Sequence, residues 1–199
     1  MTISVLASVL AVLAAAGAGL AADQVDRGDR YIVTACLESA GSFTLRRASN
    51  LVSKMYAAIG VQIDWRWPRN CPADAIRVTV QNFSFPLAKP RALAYSMPYQ
   101  GTRIVVFYDR ILERHPRFVP VLTAHVIAHE IGHILEGFNG HSASGIMKER
   151  WDEGDLSAMA WKPLPFAPED VFLIRQRLRS RSAAESIGRC RQKPLKPPC

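Results

Sequence analysis

The feature that most constrains this chain is a pair of histidines inside a long apolar segment. His129 and His133 are four residues apart, with Glu130 between them, in the sequence HEIGH. Apolar residues cover most faces of the surrounding run Val119–Glu136, and Gly137 follows it. This pattern predicts a buried helix with a glycine stop. The four-residue spacing places both imidazoles on one face of that helix, about one turn apart.

These residue types at this spacing indicate a zinc site. Two imidazoles on one helix face suit two ligands of a tetrahedral zinc ion. The Glu130 carboxylate lies beside them, where it can take a proton from a metal-bound water that attacks a carbonyl group. The competing interpretation is a pair of core histidines with satisfied hydrogen bonds, and the glutamate between them favours zinc.

A third zinc ligand is expected after the helix. His141 follows a glycine-containing loop, which lets the chain turn back towards the metal. Glu136, Asp152 or Glu153 could instead supply an oxygen ligand. His125 lies one turn before the first histidine, but three successive histidines of one helix cannot all face one ion. We therefore expect His125 to pack in the core or to support a ligand.

The remaining pattern predicts an α+β domain. A helical stripe of apolar residues spans residues 42–59, with Ser42 as its N-cap. Alternating residues predict strands at 61–65, 75–80, 92–97 and 103–108. Two more helices are expected at 155–160 and 169–180, so the predicted order is one helix, four strands and then helices. The four tryptophans are interpreted as core or cleft walls.

The first 22 residues contain no charged side chain and end in small residues, including Gly19 and Ala21. This predicts a secretory signal peptide and a secreted or periplasmic protein. An uncleaved anchor is the alternative, because the stretch is about long enough to span a bilayer. We divide the chain into a signal peptide (1–22), one domain (23–182) and a basic, proline-containing tail (183–199), which we expect to be loosely held.

The four cysteines form no CxxC pair, which favours disulfides in an oxidising compartment over a thiolate metal site. Three pairings are possible. We favour Cys36 with Cys71 and Cys190 with Cys199, because each closes a local loop.

The formal net charge is +8, and much of it lies after Arg175. This C-terminal region lacks interleaved aromatic residues and matches no DNA-binding motif, so we expect a solvated basic helix face and no nucleic-acid partner. Binding to an anionic surface through this region is the least favoured function.

The sequence resembles the metzincin clan of zinc peptidases. In that clan HExxH is followed by a glycine turn, a third histidine and a methionine-containing turn beneath the zinc. Here Gly137, His141 and Met147 follow the motif in that order, and the HS and GIM elements look most like those of the matrix metalloproteinase branch. The resemblance covers roughly residues 92–147, and residues 91–95 look like the family's edge strand, which pairs with extended substrate.

The sequence departs from the family pattern in the loop after the motif. HExxHxxGxxH places the glycine three and the histidine six residues after the second histidine, whereas Gly137 and His141 come four and eight residues after His133. Met147 also comes sooner after the third histidine than in matrix metalloproteinases, and the PRCGxPD propeptide motif is absent. The chain thus looks like a divergent exported branch.

The resemblance implies a zincin-like fold with a small mixed twisted sheet, a backing helix, an active-site helix and C-terminal helices. It implies a monomeric zinc endopeptidase that acts on peptides or proteins. His129, His133 and His141 would bind zinc, Glu130 would be the general base, and Met147 would shape the floor without binding metal. The alternatives are an exported zinc- or peptide-binding protein without catalysis and, for Met147, an ordinary core position.

Overall fold

The computed structural model describes residues 30–38, 43–83, 91–96 and 101–192, with side chains as far as residue 184. The elements, in chain order, are β1 (Tyr31–Leu37), α1 (Phe43–Ala57), β2 (Val61–Arg66), a 3-10 turn (Pro68–Asn70), β3 (Ile76–Gln81), β4 (Ala94–Ser96), β5 (Arg103–Phe107), α2 (Tyr108–Arg114), α3 (Val119–Glu136), α4 (Glu153–Trp161) and α5 (Pro168–Gln192). The predicted signal peptide and the N-cap Ser42 lie outside these residues. Cys199 also lies outside them and the side chain of Cys190 is not described, so the predicted pair of Cys190 and Cys199 stays a prediction.

The five strands form one mixed sheet in the order β2-β1-β3-β5-β4. β1 is parallel to β2 and β3, and β3 is parallel to β5. β4 is antiparallel to β5, with Tyr95 opposite Val105. Among the described strands β4 therefore has one neighbour, and its outer backbone edge borders no other strand.

Helices α1 and α3 pack against each other and against the sheet. α1 lies on β2, whereas α3 lies on β4 and β5. Val52 of α1 and Ile131 of α3 are fully buried in the shared core. The Tyr56 hydroxyl donates a hydrogen bond to the Ala128 carbonyl, 2.8 Å away, and so fixes how the two helices sit together. This packing places the histidine-bearing helix next to the edge strand.

Helix α3 has the predicted bounds and the predicted glycine stop. Gly137 adopts a left-handed backbone conformation, with φ of 77°. Its N–H donates to the carbonyl of His133 at 2.9 Å, which closes the last turn. Residues with a side chain rarely adopt this conformation, so glycine is favoured at the position where the chain leaves the helix.

The predicted order of one helix followed by four strands is wrong at its start. The strand β1 precedes α1 and lies between β2 and β3. Its last three residues, Ala35 to Leu37, are all buried, because a strand with parallel neighbours on both sides is covered on both faces. The alternation that reveals a half-buried strand is therefore missing at this end. The short helix α2 was also not predicted, and the strand before it ends at Phe107, one residue early.

Helix α5 extends well past the expected end at residue 180. It continues to Gln192, so the predicted tail, which was expected to begin at residue 183, starts inside it. The arginines and alanines of this stretch are good helix formers, which explains the extension. No helix in the described part of the chain is both long and apolar enough to cross a membrane.

A disulfide joins Cys36 at the end of β1 to Cys71, just after the 3-10 turn. This is the pairing favoured from the sequence. The bond links the middle of the sheet to the connection between β2 and β3, so it closes a loop that contains α1.

Candidate metal centre

Three histidines meet at the surface of α3. His129 and His133 lie on the helix, and His141 lies in the loop that follows it. Their candidate ligand atoms all lie within 4.8 Å of one another. The His141 ring is stacked on that of His129, with centroids 5.3 Å apart, and stands edge-on to that of His133 at 5.0 Å. The structure thus brings together the three predicted metal ligands.

The hydrogen bonds of two of these rings fix which nitrogen carries the proton. Nδ1 of His129 lies 2.8 Å from the carbonyl oxygen of Ile146, and Nδ1 of His133 lies 3.2 Å from that of Phe138. A carbonyl only accepts, so both Nδ1 atoms must donate. In the neutral rings both Nε2 atoms are consequently unprotonated.

The two unprotonated nitrogens face each other at 3.0 Å. Neither has a hydrogen to share, so their lone pairs repel unless a cation lies between them. Two ligands of a tetrahedral zinc ion are roughly 3.3 Å apart, given Zn–N bonds of about 2.0–2.1 Å. The donor set therefore fits zinc.

Burial keeps both helix histidines neutral. Burial lowers the pKa of His129 to about 4. The hydrogen bond to Ile146 raises this pKa, and the nearby His141 lowers it further. Burial also lowers the pKa of His133 to about 3, and the two neighbouring imidazoles add to the effect. A histidine must be neutral to bind a metal. These rings are in that form at physiological pH.

Glu130 lies next to this cluster and is 8% exposed. Burial raises the pKa of its carboxyl to about 7. The Ser96 hydroxyl at the end of β4 is close enough to moderate this rise, although it does not reach full hydrogen-bond geometry. The predicted base is thus located between the metal ligands and the edge strand.

The loop carrying His141 is anchored by the residue after it. The Ser142 hydroxyl donates a hydrogen bond to the carboxylate of Asp170, in the first turn of α5. The Ser142 N–H donates to the Met147 carbonyl at 3.0 Å. Asp170 is 3% exposed and also accepts from the N–H of Ala167 at 3.0 Å. Sequence reasoning missed Asp170, because an acidic residue in a first helical turn is the ordinary complement of the helix dipole.

Met147 packs beneath the histidine-bearing helix. Its side chain is fully buried, and a Cβ at Gly132 would overlap its sulfur. The turn that delivers it depends on Gly145, which has φ of 76° and no room for a Cβ beside the Pro165 carbonyl. The neighbouring Ile146 donates its N–H to that same carbonyl at 2.9 Å. These contacts hold the turn against the helix.

His125 lies in the core. It is fully buried, and its Nδ1 lies 2.8 Å from the Val121 carbonyl. Its Nε2 accepts the N–H of Leu164 at 3.1 Å. Both ring nitrogens are used, so this histidine packs in the core, as expected. Trp151 lies edge-on to the rings of His125 and His129, at 6.0 and 5.7 Å, and forms part of the cleft wall.

The three alternative oxygen ligands lie elsewhere. Asp152 caps α4 and pairs with Lys148, and Glu153 is in the first turn of that helix. Glu136 faces α5 across a cavity of about 380 Å³, which it shares with Arg177. Within the described parts of the chain, the three histidines form the one group with metal-ligand spacing.

No protein-family model matches this sequence, and no curated protein matches it. Among solved structures, the fold is similar to that of archaemetzincin from Methanopyrus kandleri, with a TM-score of 0.54 and 14% identity over 78% of this chain and 99% of that chain. An archaemetzincin from Archaeoglobus fulgidus, solved with malonate, gives a TM-score of 0.49 and 14% identity over 72% of this chain and 100% of that chain. The Methanopyrus structure confirms the α+β zincin-like fold predicted from the sequence. The closer likeness to matrix metalloproteinases stays a prediction.

Replacing Ser142 with alanine should weaken zinc binding without touching a ligand. The change removes the hydrogen bond to Asp170 that holds the His141 loop. Loss of an outer partner of this kind lowers metal affinity by about 10- to 100-fold, and we expect the lower end of that range. Competition with a chromophoric chelator measures the affinity. Ser144→Ala, at an exposed position in the same loop, is the matched control. Equal affinities of the two variants would contradict the anchoring role.

Glu136 should make the protein less stable as the pH rises. Burial, with the nearby Asp170 carboxylate, raises its pKa from 4.5 to about 8. Between these values the folded state holds more protons than the unfolded state, so the free energy of unfolding falls with pH and levels off above pH 8. We expect Glu136→Gln to be more stable than the wild type by about 1–2 kcal/mol at pH 9, with a smaller difference at pH 5. Urea unfolding at pH 5 and pH 9 measures the free energy of unfolding of each variant. Glu169→Gln, at an exposed position, is the control, and its stability difference from the wild type should not grow from pH 5 to pH 9 in this way.

Proposed function

We propose that this protein is a zinc-dependent endopeptidase, with His129, His133 and His141 as zinc ligands. The observation that carries the proposal is the pair of unprotonated Nε2 atoms facing each other at 3.0 Å beside a third imidazole. A structural zinc site normally has four protein ligands, whereas a catalytic site has three and keeps one position open. Three ligands therefore favour a catalytic centre over a purely structural one.

Glu130 is the proposed general base. When bound, zinc supplies Lewis acidity to the carbonyl group and to a water molecule. The Glu130 carboxylate accepts a proton from the attacking water and passes it to the nitrogen of the leaving amine as the C–N bond breaks. Its place on α3, directly after His129, keeps this carboxylate within reach of the reacting atoms.

A peptide is the proposed substrate because the cleft runs along β4, whose outer edge borders no other strand in the described parts of the chain. The cleft has a volume of about 1430 Å³, which exceeds the roughly 300–1,000 Å³ of ordinary small-molecule pockets. Residues of β4 line it together with Glu130. An extended peptide can hydrogen-bond to the outer edge of such a strand. This pairing would hold the scissile bond beside the histidines.

Export is also part of the proposal. It is supported by the uncharged run at residues 1–22 and by the disulfide between Cys36 and Cys71, since disulfides persist mainly outside the cytosol. We expect protein isolated from the extracellular or periplasmic fraction of its source cells to begin at Ala22 or Asp23, with that disulfide formed. N-terminal sequencing and mass spectrometry without reductant test both points. An intact N-terminus in a cytosolic fraction, with both thiols free, would refute export.

Replacing Glu130 with glutamine should abolish hydrolysis and spare the metal. The substitution keeps the shape of the side chain but removes its ability to accept a proton, a loss that costs about 100- to 10,000-fold in rate. The measurements are zinc content per chain and cleavage of an unstructured peptide library by the purified mature protein. Glu113→Gln, at an exposed position on α2, is the control.

The outcomes separate the candidate functions. One zinc per chain in both variants, with cleavage lost only in Glu130→Gln, is the expected result. Zinc binding without cleavage by the wild type would favour the non-catalytic binding protein. Absence of zinc from the wild type would show that the histidine cluster has another purpose.

A further inference from the structure

The cleft has a direction because one end of β4 lies beside the reacting group. Ser96, the last residue of β4, lies beside Glu130. Arg91 precedes the strand and lines the same cleft five residues earlier in the chain. The cleft therefore extends from Glu130 along the strand to Arg91.

Basic side chains gather in this cleft. Arg114 of α2 also lines it, and its guanidinium donates to the Arg91 carbonyl at 3.1 Å. The guanidinium of Arg110 donates to the Ala92 carbonyl at 2.7 Å. These two bonds fix the segment before β4 to α2. Arg150, in the segment after Met147, is exposed and contributes a further guanidinium to the lining.

The acidic side chains of the lining do not cancel this charge. Glu149 is exposed next to Arg150, and Glu130 occupies the reacting position. Lys148 is paired with Asp152 and Asp155 at 2.7 and 2.6 Å, so its charge is already compensated. In the described lining, Arg91 and Arg150 thus stand against Glu149 outside the reacting position.

The walls between these charges are apolar. Leu122 and Val126 of α3 and Leu156 of α4 line the cleft, and all three side chains are buried. A peptide that fits this cleft therefore combines apolar side chains with negative charge at the Arg91 end.

We propose that the protein selects peptides that carry aspartate or glutamate on the C-terminal side of the scissile bond. This inference rests on the proposed peptidase function. Antiparallel pairing is the commoner arrangement of neighbouring strands. A peptide that adds antiparallel to β4 runs from the Ser96 end to the Arg91 end, so its C-terminal half meets Arg91.

The test uses quenched fluorescent peptides that share one apolar residue after the scissile bond. One set carries acidic, neutral or basic residues on the C-terminal side, and a second set carries the same residues on the N-terminal side. We expect kcat/KM to be about three- to tenfold higher for the acidic C-terminal peptides than for the neutral ones, with the preference lost in 0.5 M NaCl. No preference is expected in the N-terminal set.

Charge reversal identifies the side chains responsible. The double variant Arg91→Glu/Arg150→Glu should prefer the basic C-terminal peptides. The double variant Arg46→Glu/Arg47→Glu changes the net charge equally at two exposed positions on α1, outside the cleft, and should keep the wild-type preference. Equal kcat/KM for all wild-type substrates, a preference confined to the N-terminal set, or retention of the acidic preference after reversal at Arg91 and Arg150 would overturn the inference.

Peptide binding separates this inference from the peptidase proposal. If the wild type cleaves no peptide, the proposed function fails, and fluorescence anisotropy of the same peptides on the Glu130→Gln protein then tests selectivity by itself. Tighter binding of the acidic C-terminal peptides would support the charge selectivity. Equal binding of all peptides would overturn it.

Discussion

The metal centre depends on two hydrogen bonds from imidazoles to main-chain carbonyls. His129 and His133 donate to Ile146 and Phe138, both of which lie in the segment after the helix. Each bond fixes one ring tautomer and also ties this segment to α3. The same contacts therefore set both the ring tautomers and the position of the loop. A substitution that moves the segment also changes which ring nitrogens carry a proton.

The longer loop between the second and third histidines is accommodated by anchors at both ends. Gly137 turns the chain out of α3, and Ser142 is bound to Asp170 on the far side. Between these two points the chain can take up extra residues, because neither anchor depends on the number of residues between them. The spacing that departs from the metzincin pattern thus still brings His141 to within ligand distance of its partners.

The sequence predicted the parts of the molecule that local patterns determine. The helix α3 with its glycine stop and the approximate positions of four strands follow from spacing and periodicity, whereas His141 was one of several candidate third ligands and was favoured by its glycine-containing loop and by the resemblance to metzincins. β1 was missed because consecutive buried residues such as Ala35 and Cys36 show no alternation. Asp170 was missed because its partner is 28 residues away, and a contact between distant residues leaves no local pattern. The tertiary fold alone makes it part of the site.

The open edge of β4 also bears on how copies of this protein meet one another. An unpaired strand edge is a template on which a second chain can add, and proteins protect such edges by keeping them short and charged. β4 contains only three residues, so a second copy would find few backbone groups there to pair with. The shortness of the strand beside Glu130 thereby disfavours sheet-to-sheet aggregation of the protein with itself.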